Sequence, residues 1–385
     1  MRSDVDCNQI PGMIEMLVMQ ATPFCNLDCS YCYLPNRSSK QRMSEATLER
    51  TFERVFSSPF ISDQLAILWH AGEPLVPGVE YYEGAFALVN RLKPAALIVN
   101  HNFQTNGTLL DQRWLDFFKA SEHVTIGLSI DGPAHLHNRY RKTRSQAGTF
   151  DQVMRGVRVL QDNVFPFHVI TVLTRDSLRC ARELFDFYVD SGITQIAFNV
   201  EEIEGNHSSS SLRDGDVDSE IRSFFRQFLD LMESRSSKLE VREFLGALAG
   251  ITSPVSVHYG NPLAQALRIV SIGVNGEIST FSPELLGYGS ERHGVFAFGN
   301  VHDNELSDIL NNPQFQAVNA EIESGLERCR RTCDYFDICL GGAPVNKLFE
   351  NGTFDSTETL FCRLTKKAVI DVVLERVERA FEIAS

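Results

Sequence analysis

The sequence predicts an α/β fold: a partial (β/α)6 TIM-like barrel at residues 1–200, bridging helices at 201–265, and a separate cysteine-bearing region at 266–385. Three observations lead there. Short apolar runs of β type alternate with helix-periodic stretches over the first 200 residues, which is the pattern of parallel βα units. The alternation stops at Val200, and residues 201–215 (EEIEGNHSSSSLRDG) are polar and Ser-rich. Four of the nine cysteines then fall in the last 60 residues.

The expected strands are Ile14 to Gln20, Gln64 to His70, Leu97 to Thr105, His123 to Ile130, Phe167 to Thr174 and Thr194 to Val200. Helical stretches lie between them near 44–57, 80–92, 111–120, 150–162 and 177–190, with Ser44, Asp111 and Ser177 placed as N-caps. In such barrels the functional residues stand on the loops that follow the strands. Residues 201–215 read as a linker or mobile loop. A helix follows from about Asp218, whose stripe Ile221, Phe224, Phe225, Phe228 and Met232 suits core packing. The run IVSIGVNGEISTF from Ile269 reads as a hairpin turning at Asn275-Gly276.

Composition narrows the chemistry. With 36 Lys plus Arg against 50 Asp plus Glu, the net charge of −14 argues against a nucleic-acid partner, since phosphate binding rests on clustered cations. No apolar run reaches the roughly 18 residues needed to span a bilayer. Met1 to Gly12 lacks the basic start and apolar core of a secretory signal, so a cytoplasmic setting is expected. Cysteines in a reducing compartment point to metal or redox chemistry in place of disulfides.

Cys25, Cys29 and Cys32 stand in PFCNLDCSYCYL, directly after the first strand. Three thiolates can hold three irons of a 4Fe-4S cube and leave the fourth iron open, whereas zinc would want a fourth protein ligand. The C-x3-C-x2-C spacing, with Tyr31 before the third cysteine, resembles the radical S-adenosylmethionine (radical SAM) superfamily. The resemblance implies S-adenosylmethionine as cofactor on that open iron, and reduction by a low-potential donor of flavodoxin or ferredoxin type. Further strand ends fit the same order of motifs. His70-Ala71-Gly72-Glu73-Pro74 resembles the GGEP motif, which implies that Gly72 and Glu73 bind the cofactor's amino group. Gln104 and Asn106 after the third strand, and Ser129 and Asp131 after the fourth, resemble segments lining the cofactor pocket, with Ser129 at the ribose. Asn138 to Lys142 resembles an HDxxR-type segment, which makes Arg141 the candidate for the methionine carboxylate and Arg139 the alternative. Leu173 falls where an adenine contact is expected.

Cys329, Cys333, Cys339 and Cys362 give C-x3-C-x5-C-x22-C, enough for one closed 4Fe-4S cluster or one zinc. With Cys339-Leu340-Gly341-Gly342, this end resembles the SPASM domain, an auxiliary iron-sulfur module of peptide-modifying radical SAM enzymes. The full SPASM pattern has seven cysteines. Here Phe281 and Ala343 stand where two of them are usual, so one auxiliary cluster is expected. Cys7, in the terminal tail, and Cys180, on the expected helix near Leu184, remain for packing.

The segments Ser279 to Leu285 and Gly341 to Thr359 resemble the glycine-rich-repeat subgroup of maturases, which join an aromatic ring to the β-carbon two residues on, forming three-residue cyclophanes. The implied substrate is a ribosomally made precursor peptide. Glu284 is one candidate for the base that takes the ring proton. About 24 residues precede Cys25, too few for a leader-gripping winged-helix domain. The leader is therefore expected on the barrel, the SPASM-like end or a separate protein, and an acidic chain favours Lys and Arg in it. Two other functions compete: a sulfatase-type maturase making formylglycine, and a zinc- or iron-sulfur-binding interaction protein.

Overall fold

A computed structural model describes residues 14–252 and 260–384. Six strands run parallel in chain order: β1 (Ile14–Met19), β2 (Ile61–Trp69), β3 (Ile98–Thr105), β4 (Val124–Ser129), β5 (Phe167–Leu173) and β6 (Gln195–Val200). Helices α1 (Glu45–Phe56), α2 (Val79–Leu92), α3 (Gln112–Ala120), α4 (Ala134–Tyr140), α5 (Phe150–Asp162) and α6 (Ala181–Asp190) connect them. Ser44 and Asp111 cap α1 and α3 as expected, accepting from the amides of Thr47 and Trp114. Ser177 does not cap α6. Its hydroxyl closes a tight turn with Thr174, and α6 begins only after Cys180, which is half-buried just ahead of the helix. Cys7 lies outside the described residues.

Helix-facing residues pack an aromatic core in which Tyr82 meets Trp69, Phe103 and Trp114 edge to face, with ring centroids 5.0 to 5.6 Å apart, while Trp69 stacks on Phe103. The other face of the strands is only partly buried and lines a cavity. The period of two along each strand makes this division: Thr125, Gly127 and Ser129 of β4 face the cavity while Ile126 and Leu128 face the helices.

The sheet does not stop at six strands. β7 (Glu240–Val241) extends β6, and β8 (Ile269–Ile272) lies parallel to β1 on its outer edge. The expected hairpin turns at Gly276 into β9 (Glu277–Thr280), antiparallel to β8, and β12 (Gly299–Asn300) ends a ten-stranded sheet among the described residues. β10 (Gly289–Ser290) and β11 (Gly294–Val295) pair separately. The helix expected from Asp218 is α7 (Val217–Ser234), with Ile221, Phe224, Phe225 and Phe228 buried and Met232 at the core's margin. It is followed by α8 (Arg242–Thr252), α9 (Pro313–Thr332), α10 (Phe336–Cys339), α11 (Pro344–Asn351), α12 (Leu360–Cys362) and α13 (Ala368–Ala384). Arg222 and Arg226 of α7 pair with Asp371 and Glu375 of α13, closing the helical layer over β6.

Candidate active site

The loop after β1 carries Cys25, Cys29 and Cys32 to the rim of the barrel, where all three line a cavity of about 620 Å3. Two neighbouring segments hold the loop. On one side, Asp28 and Ser30 donate backbone amides to the carbonyls of Lys142 and Tyr140, and Arg144 donates to the Cys25 carbonyl at 2.9 Å. On the other, the Glu73 amide donates to Phe24 O at 2.8 Å. Gly72 sits beside it at φ +95°, and a Cβ there would lie 2.2 Å from the Thr22 carbonyl oxygen, so only glycine allows this turn to meet the loop.

Glu73 is buried. Its carboxylate accepts from the Thr105 hydroxyl at 2.5 Å, the Asn106 amide at 2.8 Å and the Leu75 amide at 3.0 Å. Burial pushes its pKa up to about 7, and these hydrogen bonds only partly offset that. A raised carboxylate favours the protonated folded state. Its contribution to stability is therefore lost as pH rises from the unfolded value near 4.5 to about 7, on the order of 3 kcal/mol. In cofactor-free protein, chemical denaturation across that window should show a slope that is shallower in Glu73→Gln. An equal slope in the variant would refute this.

The remaining candidates divide between cavity and wall. Tyr31, Gln104, Asn106, Ser129 and Arg141 line the cavity with Gly72 and Glu73. Gln104 donates to the Ser129 hydroxyl at 3.0 Å, and the Asn106 amide group bridges Asn26 and the Cys25 sulfur. Asp131 stands behind this surface. It takes Nε and Nη2 of buried Arg141 at 2.9 and 3.1 Å, the Tyr31 hydroxyl, and the Val172 amide at 3.1 Å. It is thus the anchor of Arg141 and does not line the cavity. Leu173 is also corrected: its side chain is buried among the helix-facing residues, and Val172, on the opposite face of β5, lines the cavity in its place. Arg139 pairs with Asp176 at 2.9 Å on the exposed side of α4.

Sequence reasoning missed one wall. Glu201, Glu202 and Glu204, directly after β6, line the same cavity together with Glu284 and His70. The segment taken as a mobile linker is anchored: Glu201 accepts from Ser211, and Glu204 bridges to His207. Glu284 is half-buried, not a surface acid. The signal was available in the position of three acids at a strand end.

The four C-terminal cysteines line a second cavity of about 150 Å3, with Lys347 and Lys367. Buried Lys347 donates to the Cys329 sulfur at 3.3 Å. Cys339 is held well below the usual thiol range by a hydrogen bond from Cys362, by Lys366, and by the Gly341 and Gly342 amides; Cys362 is raised correspondingly. At Gly341, φ +90°, a Cβ would strike Leu326 at 2.3 Å. Phe281 is buried and stacked on Phe315, centroids 5.8 Å apart and 6° from parallel.

Both cavities suit iron-sulfur groups. Burial pushes Cys25 up to about 12 and Cys29 up to about 11, so as free thiolates they are unfavourable, and a multivalent cation reverses that balance. Sulfurs on a single zinc lie about 3.8 Å apart, from Zn–S bonds of about 2.3 Å. Among the described residues the group of ligands drawn within 4.8 Å of one another is His135, Cys180 and Glu183, not three thiols of either cluster. Three thiols at the barrel rim and four at the second cavity are the ligand numbers of a cube with one open iron and of a closed cube.

An open βα barrel carrying three thiols in a cavity at its strand ends is built to hold a metal-containing group. Residues 19–203 match the Radical SAM superfamily. The Synechocystis sp. protein sll1766 is 39% identical over 385 residues, covering 99% of this chain and 96% of its own. The cysteine-type anaerobic sulfatase-maturating enzyme of Clostridium perfringens (strain 13 / Type A) is 24% identical over 351 residues, 86% of this chain and 88% of its own. The fold is similar to native anSMEcpe with bound AdoMet, with TM-score 0.76, 20% identity and coverage of 97% and 100%. It is also similar to Streptococcus suis SuiB bound to precursor peptide SuiA, with TM-score 0.65, 17% identity and coverage of 92% and 77%. The chain belongs to the radical SAM superfamily and is an enzyme of that class. Among the described residues, no helix is long and apolar enough to cross a membrane.

Proposed function

We propose that the protein is a cytoplasmic maturase of a ribosomally made precursor peptide. It removes a β-hydrogen and joins that β-carbon to an aromatic ring as a three-residue cyclophane. Cys25, Cys29 and Cys32 would hold the 4Fe-4S cluster with the open iron, and Cys329, Cys333, Cys339 and Cys362 one auxiliary 4Fe-4S cluster. When bound and reduced by a flavodoxin- or ferredoxin-type donor, the first cluster and S-adenosylmethionine supply a 5′-deoxyadenosyl radical. The chain's own residues do the placing. Glu73 receives the cofactor's ammonium, which offsets the carboxylate's burial. Arg141, two nitrogens fixed on Asp131, keeps Nη1 for the methionine carboxylate. Ser129, steadied by Gln104, and Asn106 complete the pocket. The cavity walls exclude water around so reactive a radical.

The observation that carries the crosslinking reading over formylglycine formation is the Phe281–Phe315 stack, which fills with apolar rings a place where a second auxiliary cluster would need a ligand. Reconstituted protein should hold about eight irons per chain; about twelve would favour the sulfatase-type reading, which the similarity to anSMEcpe keeps in play. Incubation with an aromatic precursor peptide should remove about two hydrogens per ring from the peptide and leave it unreactive to a hydrazide probe. A hydrazide-reactive aldehyde would establish formylglycine, and an unchanged peptide mass would refute both readings.

A further inference from the structure

The wall that sequence reasoning missed contains a carboxylate pair. Glu202 and Glu204 both line the cavity, and one amide group, that of Asn346, reaches both, so their carboxyl groups stand side by side. Two buried carboxylates so placed favour holding a proton between them. Asn346 of α11 clamps the pair, donating to Glu202 at 2.7 Å and reaching Glu204 at 3.4 Å. The next residue on that helix, Lys347, reaches the Cys329 sulfur. One helix therefore joins the pair to the four-thiol cavity. On the barrel side Tyr33, adjacent to Cys32, hydrogen-bonds His70 at 3.2 Å, and both line the same cavity.

The geometry points to the Glu202–Glu204 pair as the acceptor of the aromatic proton released when the crosslink closes, held at a fixed reach from the four-thiol cavity by α11. The inference rests on the crosslinking reading above. The step balances as follows. The β-carbon loses a hydrogen atom to the 5′-deoxyadenosyl radical, and the new carbon-carbon bond leaves the unpaired electron on the ring. The ring C–H bond then breaks, its proton passing to a carboxylate oxygen of the pair and the remaining electron to an external oxidised carrier, for which the group that Cys329, Cys333, Cys339 and Cys362 would hold could serve as relay. Burial raises both carboxylates, and Glu284 and Glu350 raise them further, which suits a base.

The test uses the reconstituted enzyme and a precursor peptide deuterated at the reacting β-carbon, comparing wild type with Glu202→Gln, Glu204→Gln and Glu202→Asp. Crosslinked peptide formed per deuterated 5′-deoxyadenosine should fall at least about 100-fold in either Gln variant and recover in Glu202→Asp. A second readout needs no turnover. Infrared titration of the cluster-free chain in the Glu73→Gln background should show a raised carboxyl that is lost on adding Glu204→Gln. A wild-type ratio in the Gln variants, a fall reproduced only by Glu284→Gln, or no such raised carboxyl overturns the assignment alone. A wild type that forms 5′-deoxyadenosine but crosslinks no aromatic peptide overturns the crosslinking reading, and the assignment with it.

Discussion

Replacing Cys25, Cys29 or Cys32 with Ala should abolish cleavage of S-adenosylmethionine, lowering 5′-deoxyadenosine formation by at least about a thousandfold, because the hard chemistry belongs to the group these thiols would hold. The loop itself should persist. Its backbone is held by Lys142, Tyr140 and Arg144, and none of those bonds involves a cysteine side chain. Iron should fall from about eight to about four per chain, since the four-thiol cavity lies on different elements. Cys180→Ala should change neither quantity, its sulfur lying outside both cavities. A Cys29→Ala protein that kept full iron and cleaved the cofactor would dismantle the site as drawn.

Asp131→Ala should be the most damaging substitution away from the cysteines. The carboxylate holds Nε and Nη2 of buried Arg141, the Tyr31 hydroxyl and the Val172 amide. Its removal leaves a guanidinium stranded in a low-dielectric wall, which costs about 3–5 kcal/mol. The double variant Asp131→Leu with Arg141→Leu removes both charges and should recover part of that stability, while still failing to bind the cofactor tightly. Urea denaturation of the single and double variants checks this, and equal stability of wild type and Asp131→Ala would refute it.

What was legible in the sequence was what is local. Cysteine spacing, the strand and helix alternation, and the caps at Ser44 and Asp111 all depend on residues a few positions apart, where chain geometry fixes the outcome. The direction of Leu173 was lost because one step along a strand reverses the face, and the position was taken from a motif without its register. The Arg141–Asp131 pair joins two candidates that the motifs assigned separately to the ligand, and only folding shows that one holds the other. Glu202 and Glu204 were hidden by their neighbours. The serines after them set the composition of the segment and mask the position of the two acids at a strand end. Asn346 had no signal at all, since nothing in its own segment names a partner across the barrel.

The pairing of β8 with β1 has a consequence for the chain during its synthesis. Met16 aligns with Ile269, so about 250 residues must be made before the outer edge of the first strand can be covered. At about 5–20 residues per second, that edge stays open for about ten to fifty seconds, while β2 is already available on the other side. An open, apolar strand edge is a template for pairing with another chain. The yield of soluble enzyme should thus depend on how the nascent barrel is shielded until its last strand arrives.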